Sequence, residues 1–326
     1  MSQHESLVTI HLVDFIIPNL DTLYSDTRFT LLLLVNKLRA PLRVGFSNRF
    51  IHCGQIPSAN KERPGCPDVK ISYHLNCIII VEYYDQCIQF YELYSKQKLS
   101  AFRTVNPPRC LCVEENYDGQ QNDALIFDCD CDGNLYKYDV KALIQNGNNC
   151  SPIWIQNVQG GHILSGITIS RNTESFSEKF IYVASCGSDS VIILKASNGQ
   201  QVGKISKISS PCGIDITEKG ELIVSTLNGL VQLFTQRALH TFESKVVLSK
   251  GVFDSPRGIC YDPVAKTIII CDTMHYVMVV MDLEGNILKS FEDRKILSYP
   301  YGVCVNSLNG ELFISNWSLE GVQLFK

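Results

Sequence analysis

The 326-residue chain is long enough to bury the core of one large domain, and its 45% hydrophobic and 19% charged residues are typical of a globular protein. Its 29 basic and 33 acidic residues give a formal net charge of −4, so no overall positive field would attract a nucleic-acid backbone. The first residues lack the pattern of a secretory leader, and the longest apolar run, LLLLV, is too short to cross a bilayer. We therefore expect a soluble, cytoplasmic protein, with no membrane contact, whose fourteen cysteines remain reduced.

Residues 1–45 are predicted to form a small helical segment. Apolar residues recur there at helical spacing: Val8, Leu12, Phe15 and Ile16. The stretch LVDFIIPNLD…TRFTLLLLVNKLRA resembles an F-box, a set of short helices that docks onto the adaptor of a cullin ubiquitin ligase. The resemblance implies adaptor binding through residues 5–45. The Leu-Pro-x-Glu start of that family is absent, and the alternative is a helical cap packed on the domain that follows.

Residues 46–326 are predicted to form one domain built from six copies of a single unit. The copies begin near residues 66, 108, 164, 211, 256 and 300. A clear copy, such as SPCGIDITEKGELIVSTLNGLVQLF, reads Pro-x-Gly, an alternating apolar strand, a turn, a second strand, a short polar loop and a third strand. The last three copies follow this pattern closely, and the first three are degenerate.

The repeat has a direct structural meaning. Short alternating apolar runs separated by Gly, Asn and Asp predict half-buried strands joined by turns. One four-stranded sheet cannot cover both of its own faces, whereas six sheets stacked radially cover one another and leave only short edges. The sequence therefore predicts an all-β fold: a six-bladed β-propeller of four-stranded antiparallel blades, preceded by the small N-terminal helical segment.

The order Pro-x-Gly-Ile/Val-x-Val, a strand ending in Ala-Asp or its like, and Gln-Val-Phe-Asp resembles the NHL repeat over roughly residues 60–326. The resemblance implies a binding propeller, a class that is often associated with ubiquitin ligases. No Gly-His or Trp-Asp pair recurs in phase, which disfavours the WD40 class. Because the last copy stops after its third strand, we expect Asn48–Gly54 to supply the missing outer strand.

Two sets of loops should open on the same face of the propeller. One set joins the second strand of each blade to the third, and the other set enters the first strand of each blade. Aromatic residues and arginines on such a face dominate binding energy at protein interfaces. The predicted partner-binding residues are Tyr83, Tyr84, Arg109, Arg257, His275, Tyr276, Tyr299, Tyr301 and Trp317. The alternative for each of them is an ordinary loop residue. The loops between the second and third strands contain no Lys or Arg, so a nucleic-acid partner is disfavoured.

The segment DCDCDGNLYKYD matches the calcium pattern D-x-D-x-D-G. The ligands in that interpretation would be Asp128, Asp130, Asp132 and Asp139. The twelfth position holds Asp139 where a bidentate Glu is usual, and the flanks are predicted as strands. The alternative is a hairpin with a glycine turn, and no other cofactor is indicated.

These features favour a non-catalytic scaffold that binds a peptide or protein with one propeller face, with the F-box resemblance adding the role of a substrate-recognition subunit of a ubiquitin ligase. The alternative is a metal-dependent hydrolase or lyase with its site in the central channel. Its oxygen ligands would come from the ends of the second strands, at Glu82, Asp272 and Asn316. No Gly-x-Ser-x-Gly elbow or phosphate-binding glycine loop accompanies them.

Overall fold

The computed structural model describes residues 43–58, 60–130, 132–158, 164–170, 178–238, 240–249, 251–318 and 321–326. The helical, F-box-like segment predicted for residues 1–45 lies outside these ranges except for its last three residues. Within the described residues, no helix combines the length and apolarity that crossing a bilayer requires.

Six four-stranded antiparallel sheets form the blades of the propeller. The chain enters with β1 (His52–Ile56) and then builds the first blade from β2 (Val69–Ser72), β3 (Cys77–Glu82), β4 (Cys87–Glu92) and β5 (Lys98–Arg103). The second blade contains β6 (Pro108–Glu114), β7 (Ala124–Cys129), β8 (Asn134–Asp139) and β9 (Trp154–Asn157). The third contains β10 (Leu164–Ile169), β11 (Phe180–Ser185), β12 (Ser190–Lys195) and β13 (Gln201–Ser206).

The remaining blades repeat the same order of strands. The fourth contains β14 (Pro211–Ile216), β15 (Leu222–Thr226), β16 (Val231–Ala238) and β17 (Thr241–Ser249). The fifth contains β18 (Pro256–Asp262), β19 (Thr267–Asp272), β20 (Val277–Met281) and β21 (Ile287–Glu292). The sixth contains β22 (Pro300–Asn306), β23 (Glu311–Asn316) and β24 (Val322–Phe325), with β1 as its outermost strand.

The only α-helix in the described part of the chain, α1 (Val140–Asn146), connects β8 to β9. Asp139 caps its N-terminus, because the Asp139 side chain accepts a hydrogen bond from the backbone N–H of Ala142 at 2.7 Å. The prediction of an all-β propeller with six blades of four antiparallel strands is confirmed.

Burial explains why each blade has a continuous apolar strand in second place. All residues of β3, β7, β11, β15, β19 and β23 are buried, because the blades on either side cover both faces of each sheet. The outermost strand of the fifth blade, β21, is mostly exposed and reads ILKSFE. The residues of a blade therefore change from apolar in the inner strands to polar in the outermost strand.

The recurring glycine of the Pro-x-Gly motif marks a close approach between neighbouring blades. A Cβ atom on Gly213 of β14 would lie 2.1 Å from the carbonyl oxygen of Arg257 in β18, and a Cβ on Gly258 would lie 2.1 Å from that of Tyr301 in β22. The first blade has Asp68 at this position, and its carboxylate accepts a hydrogen bond from the backbone N–H of Leu111 in the second blade at 2.8 Å.

The ring is closed by pairing between the two ends of the propeller. Strand β1 lies antiparallel to β24, with Ile56 opposite Val322. The expected closing segment, Asn48–Gly54, thus overlaps the observed strand and begins four residues before it. The difference arises at Phe50, which adopts a left-handed conformation with φ of 53° and stacks on Phe291 at a ring distance of 5.2 Å.

Candidate functional site

The six innermost strands surround the central channel, and the residue after the proline position lies at the channel mouth. This position holds Arg109 on β6, Arg257 on β18 and Tyr301 on β22. The second and fifth blades stand opposite each other in a ring of six, so Arg109 and Arg257 approach the mouth from opposite sides. The repeat therefore brings together residues that are 148 positions apart in the sequence.

The Tyr301 hydroxyl joins the two arginines. It accepts hydrogen bonds from Arg257 Nη1 at 2.7 Å and from Arg109 Nη2 at 3.4 Å. The Arg257 guanidinium also lies over the Tyr301 ring, 4.9 Å from its centroid, in a cation–π contact. Arg109 forms a further ion pair with Asp130, with Nη1 and Oδ1 3.3 Å apart.

Four aromatic rings extend the site outward from the channel mouth, and we call them the aromatic cluster: Tyr83, Tyr84, Tyr301 and Trp317. The Trp317 ring lies 5.1 Å from Tyr83, 5.9 Å from Tyr84 and 5.5 Å from Tyr301 between centroids. Tyr84 is 39% exposed and the other three are half-buried. The Tyr83 hydroxyl donates to Asp130 Oδ2 at 2.5 Å, so the carboxylate that pairs with Arg109 also orients this ring.

A second aromatic pair lies beside the cluster. The rings of Tyr276 and Tyr299 are 4.8 Å apart, and the Arg294 guanidinium lies 4.8 Å from the centroid of Tyr276. The backbone N–H of Trp317 donates to the Tyr299 carbonyl at 3.0 Å, which connects the pair to the aromatic cluster. Contacts therefore link eight of the nine predicted partner-binding residues.

The ninth, His275, has a different partner. Its Nδ1 lies 2.7 Å from Asp272 Oδ2. Asp272 also accepts hydrogen bonds from the backbone N–H groups of Asp254 and Ser255, at 3.1 and 3.0 Å. Asp272 thus anchors the loop that enters the fifth blade. The His275 ring covers the Asp272 carboxylate from solvent.

Sequence reasoning missed two arginines at this face. Arg63 lies over the Tyr84 ring at 4.9 Å, and Arg294 lies over Tyr276. Both arginines belong to loops that enter an innermost strand, and this position in the chain was the signal that could have identified them. The number of residues between such an arginine and the proline position differs between blades, so the repeat alone could not place them.

The four carboxylates of the predicted calcium segment contact separate sets of donors. Asp128 is buried and accepts from the backbone N–H of Cys110 at 2.8 Å. Asp130 faces Arg109 and Tyr83, as described above, and Asp139 caps α1. Asp132 accepts from the backbone N–H of Asn134 and from the Tyr136 hydroxyl, both at 2.8 Å.

Among the described residues, no three His, Cys, Asp or Glu side chains converge as a metal site. Calcium binding at this segment stays a prediction.

The side chains at the ends of the second strands also serve the entering loops. Glu82 accepts a hydrogen bond from the Ser58 hydroxyl at 2.7 Å. Asn316 accepts from the backbone N–H of Ser298 at 3.2 Å and donates to the carbonyl of Ile296 at 2.9 Å. Together with Asp272, these residues anchor one loop each, and at least one oxygen atom of each side chain is already hydrogen-bonded.

Thirteen cysteines lie in the described part of the chain and none of them is in a disulfide. Cys112, Cys260 and Cys304 occupy one repeat position on the innermost strands. Burial raises the pKa of the Cys304 thiol to about 12 and that of Cys260 well above its usual value. These thiols are therefore protonated at neutral pH and pack as small apolar groups.

Comparison with known proteins supports the fold alone. Streptogramin B lyase matches with a TM-score of 0.56 and 14% sequence identity, over 84% of this chain and 86% of that structure. The computationally designed Ika8 protein matches with a TM-score of 0.48 and 11% identity, over 80% of this chain and 70% of the other. No family model and no curated protein matches the sequence. The class that fold and site define is a six-bladed β-propeller with an aromatic and arginine-rich channel mouth.

Proposed function

We propose that the protein is a non-catalytic scaffold that binds a peptide or protein partner at the channel mouth. One observation carries the proposal. Residues from four blades, each predicted separately to lie on the binding face, meet in one connected group of four aromatic rings and two guanidinium groups.

The chemistry of the group suits protein recognition. Tyr, Trp and Arg are the side chains most enriched at the energetic centres of interfaces. Tyr83, Tyr301 and Trp317 are half-buried against one another, so little side-chain entropy remains to be lost on binding. Tyr84 offers an exposed ring at the edge of the group. A partner could therefore gain apolar contact on a surface that is already ordered.

A library of random peptides displayed on phage tests the proposal. Selection is run against the full chain and against a Tyr84→Ala/Trp317→Ala variant. The matched control is Tyr94→Ala, because Tyr94 is 63% exposed and follows the end of β4, whereas Tyr84 precedes its start. We expect peptides that bind the wild type and the control but not the double variant. A selection that returns no such peptide would remove the proposal.

The further role, as substrate-recognition subunit of a ubiquitin ligase built on NHL repeats, rests on the sequence resemblances. Its test is a pull-down with the cullin adaptor, using the full chain and a chain that lacks residues 1–45. We expect adaptor binding to the full chain alone. If the full chain also fails to bind the adaptor, the ligase role is wrong and the scaffold proposal is unaffected.

The alternative, a metal-dependent hydrolase or lyase, has less support. Its candidate oxygen ligands, Glu82, Asp272 and Asn316, each hold a loop of their own blade. Calcium-dependent thermal stabilisation that disappears in Glu82→Ala or Asp272→Ala would favour this alternative over the scaffold.

A further inference from the structure

Arg257 carries a charge that its surroundings do not neutralise. Arg109 on the opposite side of the mouth is paired with Asp130. No carboxylate in the described parts of the chain forms an ion pair with Arg257, whose contacts are Tyr301 and the buried thiol of Cys212. A half-buried guanidinium without a counter-ion is poorly solvated, so an anion that reaches it gains a strong charge-assisted hydrogen bond.

The Tyr301 hydroxyl adds a donor at the same place. It accepts from both arginines, and burial raises the pKa of Tyr301, so the hydroxyl keeps its own proton at neutral pH. Among the described residues, no acceptor is hydrogen-bonded to that proton. The Tyr301 O–H and the Arg257 N–H groups are therefore both available to an incoming oxygen anion.

A small pocket lies beside these donors at the mouth. A cavity of about 30 Å³ is lined by Arg257, Tyr301 and the glycine-rich backbone of the innermost strands. Lys70 and Asp68 also line it, but they neutralise each other in an ion pair of 2.7 Å. Arg257 N–H groups and the Tyr301 O–H face this space as neighbouring donors, which matches the two oxygen atoms of a carboxylate.

We propose that the channel mouth binds a carboxylate of the peptide or protein partner between Arg257, Tyr301 and Arg109. The carboxylate is either the C-terminus of the partner or the side chain of an Asp or Glu. This inference rests on the proposed function for the identity of the partner, but the carboxylate site itself can be tested without a peptide.

Sodium acetate is the direct probe, titrated into the full chain at constant ionic strength. Emission of Trp317 is the readout because its ring lies 5.5 Å from Tyr301. The chain has two tryptophans, so Trp154→Phe leaves Trp317 as the reporter. We expect a saturable change in emission with acetate at lower concentrations than with sodium phosphate. A phosphate response at equal or lower concentration, or no saturable acetate response, would overturn the inference.

Arginine variants locate the effect. In the Trp154→Phe background, Arg257→Gln should abolish the acetate response. Arg237→Gln is the matched control, because Arg237 is 63% exposed and already paired with Glu243 at 2.7 Å. Tyr301→Phe keeps the aromatic ring and should weaken the response without removing it. A response that survives Arg257→Gln in a protein with an unchanged melting temperature contradicts the site.

Peptides from the phage selection separate the two proposals. Each peptide is made with a C-terminal acid or amide, and with Asp and Glu replaced by Asn and Gln. One of these replacements should weaken binding to the wild type roughly tenfold or more, and the same replacement should have no effect on Arg257→Gln. If the peptides still bind after every replacement, the carboxylate inference is wrong. If the same peptides fail to bind the Tyr84→Ala/Trp317→Ala variant, the scaffold proposal is still supported. If the selection returns no peptide, the acetate titration decides the inference alone.

Discussion

The Asp128 carboxylate accepts a hydrogen bond from the backbone N–H of Cys110 at 2.8 Å, which joins β7 to the innermost strand of the second blade. Ser225 makes the equivalent contact with the N–H of Gly213, and Ser315 with that of Gly302, each at 2.8 Å. This contact recurs in three blades, and among them only the second blade has an ionisable group as the acceptor.

Replacing Asp128 should change how stability depends on pH. Burial is the main cause that raises the pKa of Asp128 from 3.8 to about 7. The folded state thus binds the proton more tightly, so the stabilisation is complete below pH 3.8 and is lost as pH rises to about 7. Asp128→Asn keeps the acceptor without the charge. Its free energy of unfolding should exceed that of the wild type at pH 8 by up to about 4 kcal/mol, and the difference should shrink towards pH 4.

Urea denaturation at pH 5 and pH 8 checks this expectation. Asp118→Asn is the control, because Asp118 is an exposed residue of the same blade whose pKa is lowered by hydrogen bonds from Asn122 and Gln120. It should give no gain at pH 8. A gain of equal size at both pH values for Asp128→Asn would mean that the carboxyl does not titrate in this range.

Closure of the ring depends on a glycine of the last blade. Gly321 has φ of 71°, and a Cβ atom there would lie 1.8 Å from the Ile56 carbonyl oxygen, where the N-terminal strand pairs with β24. Gly220 has a similar φ of 79° with no atom within 4 Å of a Cβ. We expect Gly220→Ala to cost about 1–2 kcal/mol for the left-handed backbone. Gly321→Ala should cost more, because the two strands must separate.

The comparison is made by chemical denaturation of the two variants under the same conditions. Equal losses in Gly321→Ala and Gly220→Ala would show that closure tolerates the clash, and the close pairing at Ile56 would then be relaxed in solution. Limited proteolysis between β1 and β2 gives a second readout, since a loosened closing strand exposes this segment.

The fold could be predicted from sequence because each blade repeats the same physical problem. The Pro-x-Gly glycines follow from the approach of a neighbouring backbone, as at Gly213, and the apolar second strands follow from burial on both faces. The site was predictable only as a list of residues. The contact between Arg109 and Tyr301 joins blades separated by 192 positions in the chain, and rotamers at a channel mouth are set by that packing and not by local sequence.

The directions of the carboxylates in the D-x-D-x-D-G segment could not be predicted from the sequence motif. The D-x-D-x-D-G segment has the composition of a calcium loop, but the flanking strands direct Asp128 inward and Asp130 towards Arg109. A motif fixes the order of side chains, but their directions differ here because Asp128 lies within β7 and Asp130 follows the end of that strand. The direction of each carboxylate therefore depended on the sheet around it.

A buried ion pair of the second blade is hydrogen-bonded to the third blade. Lys137 Nζ lies 2.7 Å from Glu114 Oε2 and donates to the carbonyl of Ala196 in the third blade at 2.8 Å. Removing one partner leaves the other charge buried. Lys137→Met should cost about 3 kcal/mol, which is at the low end for such a pair because Lys179 lies 3.6 Å from the other oxygen of Glu114. Adding Glu114→Gln should recover part of the loss.

Equilibrium denaturation of the wild type, the two single variants and the double variant gives the coupling free energy of this pair. A double variant whose loss equals the sum of the single losses would show that the two side chains do not interact in solution.

Cysteine reactivity tests whether the blades stay packed in solution. Cys53 lies on the closing strand and is exposed, whereas Cys304 packs against the apolar cluster between the sixth and first blades, and burial raises its pKa to about 12. The thiolate is the reactive form, so native alkylation with iodoacetamide should modify Cys53 early and Cys304 only when the chain unfolds. Mass spectrometry of digested samples along a time course measures both rates, and Cys53→Ser should remove the early adduct. If Cys304 reacted as fast as Cys53 in native buffer, the first and sixth blades would open readily in solution. A preformed binding site at the channel mouth would then be wrong.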